Sequence, residues 1–296
     1  MKTLSPNDMA LPGPPSGQVF VAETFCQAFE QGGLRGFEDW MGLEGIPFEE
    51  VSMRAHRPVV AIRLEGVPRA VFLKRNYGPP RHELLLHKLG LVPPPSEARK
   101  EVEKLALFQD AGIRVPEVVA WGEGHWKGQP GSFVATLDLE ALPLERYLFR
   151  NWTPPLGSAG LEDKRRIIEE LAHLTRRMHQ AGLVHRDFYF GHIFVSESTS
   201  SSRLAVLDVQ RASQRPLWWI RSRIKDLASL HFSADPVYIR TCERVRFLKT
   251  YWECEHLSLW RKFLIGWIIR KAARIRRHTE RSMGISYSEF FKSKYY

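Results

Sequence analysis

Four side chains in this 296-residue chain are of the types that phosphoryl transfer requires. Lys74 closes the apolar stretch RAVFLKR, and Glu101 lies in EARKEVEKLALFQDA. Asp187 sits in LVHRDFYFGHIFV, residues 183–195, and Asp208 in AVLDVQRA, residues 205–212. The chemistry asks for a lysine that neutralises nucleotide phosphates and a carboxylate that holds the lysine. It asks also for an aspartate that orients the attacking hydroxyl and takes its proton, and a second that holds magnesium on the phosphate oxygens. Each residue alone has a plainer reading. Asp187 is then a surface carboxylate, Lys74 a solvated strand residue and Asp208 a turn initiator. Four such residues in this order weigh more than their sum.

Together these positions resemble the machinery of the protein-kinase-like fold, with His185-Arg186-Asp187 matching its HRD motif. The departures are specific. No GxGxxG precedes Lys74, and no DFG or APE triplet occurs. His192 stands where protein kinases place an asparagine, and imidazole prefers softer metals than magnesium. His192 and Gln210 therefore stay open as second metal ligands, with a phosphate contact as the alternative for His192.

Those departures carry a closer resemblance. HRDxYxxHIxV, LDxQRA, WWIRSRIKDLASL, FEDWMGLEG (37–45), the stretch 97–123 and the basic KAARIRRHTERS (271–282) are similar to the lipopolysaccharide kinase (WaaP/InaA) family, over roughly residues 37–285. The resemblance implies a two-lobed α+β fold, with a small antiparallel sheet and one helix in the N-lobe and a mainly helical C-lobe. It implies ATP and Mg²⁺ as cofactors, and a heptose or Kdo hydroxyl of a lipid-linked core oligosaccharide as acceptor. By this likeness Asp187 is the catalytic aspartate, Asp208 the metal ligand, Lys74 the phosphate lysine and Glu101 its partner, with Glu97 and Glu103 as rivals. Asp226 and His185 are then the supports of the catalytic loop.

The elements that must position these residues are legible in outline. Residues 1–18 read as a flexible tail, 19–138 as the N-lobe and 139–296 as the C-lobe. VVAIRLEG and RAVFLKR, separated by Gly66-Val67-Pro68, predict two antiparallel strands. Residues 96–111 predict a helix with Ser96 as N-cap and Gly112 as stop signal. Strands are expected near 117–122, 132–137, 192–195 and 204–207, and a long helix over 161–182. Residues 76–95 and 196–202 read as loops, and the chain beyond Arg215 as helical.

Composition narrows the class. Hydrophobic residues are 44% and charged residues 26%, which excludes a disordered chain. Three cysteines without a CxxC pair speak against a disulfide framework or zinc site. The net charge is +10, and residues 211–296 alone hold 19 Lys/Arg against 7 Asp/Glu. This asymmetry points to an anionic partner. An anionic inner-membrane surface suits it, with Trp260, Leu264, Trp267, Ile268 and Ile275 as the packed stripe of a terminal basic helix. No nucleic acid is expected, since no RNP, zinc-finger or coiled-coil basic signature occurs. With neither signal peptide nor transmembrane run, the expected place is cytoplasmic, peripheral on the inner face of the inner membrane. The competing readings are a Ser/Thr protein kinase and a non-catalytic pseudokinase or basic binding module.

Overall fold

The computed structural model describes residues 2–4, 17–54, 57–78, 96–197, 203–214, 219–284 and 289. They fall into two compact units, residues 1–107 with 116–140, and residues 108–115 with 141–296. Of the loops expected at 76–95 and 196–202, residues 79–95 and 198–202 lie outside the described residues, whereas Asn76, Tyr77 and Ser196 are strand residues.

The first unit is built on a seven-stranded sheet. Its strands are β1 (Lys2–Leu4), β2 (Gln18–Ala22), β3 (Phe48–Arg54), β4 (Arg57–Ile62), β5 (Val71–Tyr77), β6 (Val118–Trp126) and β7 (Gln129–Leu137), in the order β1-β2-β6-β7-β5-β4-β3. All pairs are antiparallel except β1 with β2. Strand β5 alternates: Val71 and Leu73 are buried in the core, and Phe72 and Lys74 point to the opposite face. The short helices α1 (Cys26–Gln31) and α2 (Phe37–Gly42) cover the core face. There Trp40, fully buried, stacks on Phe133 at 4.9 Å and meets Phe29 edge-on at 5.0 Å. Gly122 lies so close to Phe133 that a Cβ would stand 2.6 Å from its ring.

Helix α3 (Glu97–Asp110) lies on the other face. Ser96 caps it, accepting from the Arg99 N–H at 3.1 Å, and Gly112 ends it at φ 69°. Its buried Ala98 and Val102 pack on Trp121 and Val134, which leaves Glu101 facing Lys74.

The second unit is mainly helical. It contains α4 (Leu144–Asn151), α5 (Ser158–Gln180), α6 (Trp219–Ser233), α7 (Thr241–Tyr251) and α8 (Leu259–Met283). Three short strands, β8 (Ala141–Pro143), β10 (Ile193–Ser196) and β11 (Leu204–Val206), pair antiparallel in the order β11-β10-β8, and β9 (Leu183–Val184) pairs with β12 (Ser213–Gln214). The long amphipathic α5 buries Ile167, Ile168, Leu171, Leu174 and Met178, the stripe predicted from periodicity.

Several elements depart from expectation. Helix α4 and the short strands β8, β9 and β12 were not expected. Strand β1 falls in the segment read as a loose tail. Edge strand β3 was not foreseen, because Glu49 and Glu50 break its apolar pattern and Val51 is exposed. In α8 the packed stripe starts at Leu264 and runs through Trp267, Ile268 and Ile275, whereas Trp260, one turn earlier, is 59% exposed and stacks on Phe263.

His231 on α6 links this unit's stability to pH. Burial, then Arg244 of α7 and Arg276 of α8, push its pKa from 6.5 down to about 4. Its Nδ1 takes a hydrogen bond from Arg244 Nη1 at 3.0 Å, which requires the neutral ring. Between those pH values the unfolded chain binds a proton that the fold refuses, so this contribution to stability falls as pH drops from about 6.5 to 4. Thermal midpoints between pH 4 and 7 should show that decline in the wild type and a shallower one in His231→Asn. Parallel profiles would contradict it.

Candidate active site

The HRD tripeptide follows β9 at the start of a tight loop. Phe188 and Phe190, both buried, plug the loop into the interior. Asp226 of α6 is fully buried beneath it. Its Oδ1 accepts from the Arg186 backbone N–H at 2.7 Å and its Oδ2 from that of His185 at 2.8 Å. Arg186 holds φ 72°, a left-handed conformation that costs a non-glycine residue about 1–3 kcal/mol and persists where surroundings enforce it.

The far side of Asp226 is satisfied through neutral His179. Arg223 Nε donates to the Tyr251 hydroxyl at 3.0 Å, that hydroxyl donates to His179 Nδ1 at 2.8 Å, and His179 Nε2–H donates to Asp226 Oδ2 at 3.3 Å. Full burial lowers the His179 pKa, which keeps the ring in the one state that completes this chain.

His185 is buried too, and burial lowers its pKa. Its Nε2 lies 2.9 Å from the Leu207 carbonyl, so Nε2 carries the proton and donates. The bond ties the loop to the residue before Asp208. A second tie is the Leu207 N–H donating to the His192 carbonyl at 2.8 Å, which continues the β10–β11 ladder. His192 and Asp208 thus flank the end of one hairpin. Asp208 adopts φ 55°, ψ 53° and is half exposed.

His192 Nδ1 lies 2.8 Å from the Asp187 carbonyl and must donate to it. Its Nε2 then faces Asp208, at 3.9 Å from Oδ2. An oxygen and a nitrogen donor so placed fit one divalent cation, Asp208 as the hard ligand and His192 as the softer one. Among the described residues no three His, Cys, Asp or Glu side chains gather into a metal cage. Such a sparse donor set would leave the remaining positions on a cation to water and substrate phosphates. Gln210 lies on the turn of 3₁₀ helix (Val209–Arg211) that follows Asp208.

Asp187 itself is mostly buried, its side chain 19% exposed. Arg211 Nη1 approaches both of its oxygens, at 3.1 Å from Oδ1 and 2.9 Å from Oδ2, and Lys225 Nζ stands 3.7 Å from Oδ1. Reading the sequence missed both cations. Their signals were in view, since Arg211 is the arginine of LDxQRA and Lys225 the residue before Asp226 in RIKDLASL.

Lys74 and Glu101 meet within the first unit. Nζ donates to Oε1 at 3.0 Å and Oε2 at 3.2 Å, and both side chains are largely buried. The rivals are elsewhere: Glu97 pairs with Arg57 and Lys100, and Glu103 is exposed. A lysine held by one carboxylate has a fixed direction, which is what binding phosphate demands.

Known proteins share this chain's pattern. Lipopolysaccharide core heptose(I) kinase WaaP of Pseudomonas aeruginosa is 29% identical over 83% of this chain and 91% of its own. The Escherichia coli protein of the same name is 30% identical over 83% of this chain and 92% of its own. A solved structure of WaaP in complex with acyl carrier protein matches 87% of this chain and 98% of that one, with 26% identity and a TM-score of 0.63. The pattern of the lipopolysaccharide kinase (Kdo/WaaP) family covers residues 38–253, and the chain belongs to that family.

Proposed function

We propose that this protein transfers the γ-phosphoryl group of ATP to a heptose hydroxyl of the lipopolysaccharide core. Family membership supports the class, and the heptose kinases among its relatives support the sugar. The observation that carries the mechanism is the Asp187 carboxylate on a loop braced by Asp226, beside the Asp208–His192 pair. In this reading Asp187 orients the sugar hydroxyl and takes its proton. Lys74, steadied by Glu101, holds the nucleotide phosphates. Asp208, with His192 or Gln210, holds Mg²⁺, which when bound neutralises charge on the β- and γ-phosphate oxygens.

A Ser/Thr protein kinase is the weaker reading. Few residues separate Asp208 from α6, and neither the DFG nor the APE landmark is present. A pseudokinase is weaker still, since Lys74, Asp187 and Asp208 are all retained.

The acceptor is tested by mass spectrometry of core oligosaccharide from cells with and without the gene, complemented by wild type or Asp187→Asn. Loss of the gene should remove one phosphate from the core. Wild type should restore it, and Asp187→Asn, slowed by about 10²–10⁴-fold as expected for loss of a general base, should not. An unchanged core would sink the acceptor assignment, and full restoration by Asp187→Asn would sink the role of that residue.

The lipid-linked substrate asks for a membrane-facing surface, and we assign it to the outer face of α8. Leu259, Trp260 and Phe263 are exposed at its start, and Lys262, Arg270, Arg274, Arg277 and Arg281 are exposed along it. A cation near an anionic leaflet contributes about 1 kcal/mol before salt screening, so this face suits reversible association. No described helix is long and apolar enough to cross a membrane. The acyl carrier protein held by the solved relative is a second partner in this proposal. Liposome co-sedimentation should show binding that needs anionic lipid, weakens with salt, and falls when Arg270, Arg274 and Arg277 become Gln. Equal binding to neutral vesicles, or no loss in that variant, would contradict the assignment.

A further inference from the structure

Asp187 is the carboxylate an acceptor hydroxyl needs, and a cation occupies it. Arg211 Nη1 touches both oxygens, and Lys225 approaches one of them. The ion pair occupies the oxygens that an acceptor hydroxyl would have to reach. Burial is the main cause that lowers the Lys225 pKa; Arg211 and Arg186 add to it, and Asp187 and Asp226 oppose it. Two cations, Arg211 and Lys225, thus converge on the Asp187 side chain, both of a type that binds anionic oxygen and so suited to further negative charge.

Phosphoryl transfer brings that charge, spread over three equatorial oxygens. The two cations differ in freedom. Arg211 is 62% exposed, on the 3₁₀ turn just after Asp208. Lys225 is 30% exposed and fixed on α6, next to Asp226.

We propose that Arg211 and Lys225 clamp the transferred phosphoryl group, Arg211 turning from Asp187 to the γ-phosphate oxygens while Lys225 holds them from α6. The inference rests on the phosphoryl-transfer reading above and adds two catalytic residues to it. In the step, a bond forms between the acceptor oxygen and the γ-phosphorus. The bond from that phosphorus to its bridging oxygen breaks, and its electron pair leaves with the nucleoside diphosphate. The acceptor's proton passes to Asp187, whose oxygens the departing Arg211 leaves open to the hydroxyl. The turn of one side chain thereby couples nucleotide loading to the acceptor's access to Asp187.

The test is steady-state transfer from ATP to dephosphorylated core glycolipid by wild type, Arg211→Ala, Arg211→Lys and Lys225→Met, each with and without added guanidinium ion. Both neutral variants should lose about 10²–10³-fold in kcat, as for loss of one preorganised donor, with KM for ATP changed far less. Guanidinium should restore part of the Arg211→Ala loss and none of the Lys225→Met loss. Arg211→Lys should fall between wild type and Arg211→Ala. A wild type that transfers no phosphate would sink the kinase reading and the clamp with it. Active wild type alongside undiminished Arg211→Ala, a loss carried by KM alone, or a deficit untouched by guanidinium would sink the clamp alone.

Discussion

The carboxylate of Asp226 is the constraint on which the catalytic loop depends. It is fully buried, and a buried carboxylate is tolerated only where hydrogen bonds replace the water it has lost. Two backbone N–H groups of the HRD segment and the ring of His179 supply them. Hydrogen bonds to a charged group contribute about 1.5–3 kcal/mol each, enough to hold Arg186 in its left-handed backbone against the cost of that conformation. The direction of Asp187, one residue on, follows from that turn. The network extends outward through Tyr251 to Arg223, so α5, α6 and α7 all contribute to aiming one aspartate.

A second layer ties the loop to the hairpin that leads to Asp208 by fewer bonds. His185 donates to Leu207, and Leu207 donates to His192, so Asp187, His192 and Asp208 are fixed relative to one another. His192, in place of an asparagine amide, donates through one nitrogen to the loop and leaves the other facing Asp208. In the proposed reading the protein would supply few ligands, and phosphate oxygens and water would supply the rest.

Much of this was legible in the sequence, for physical reasons that differ by element. Helices α3 and α5 carry long apolar stripes with a cap or a glycine stop, and such signals are local. The candidate residues were legible because loop chemistry is tied to short spacings. Strand β3 was not, since an edge strand can pair through its backbone while its side chains face water. Arg211 and Lys225 were missed for another reason. Their meaning lies in contact with Asp187, across 24 residues for Arg211, and nothing in local pattern marks a solvated arginine as a partner. Trp260 was assigned to the packed stripe because helical spacing gives a direction and not the length of the surface that receives it.

The brace itself offers the most direct test of this account. In Asp226→Asn the amide oxygen can still accept, but an NH₂ group would face a backbone N–H where an acceptor stood. Hydrogen exchange at the His185 and Arg186 amides, followed with turnover and nucleotide affinity in the same folded variant, separates a brace from a packing residue. Faster exchange at those two amides and a large fall in turnover, with ATP affinity kept, is the predicted result. Unchanged exchange with wild-type turnover would show that Asp187 is aimed by something else.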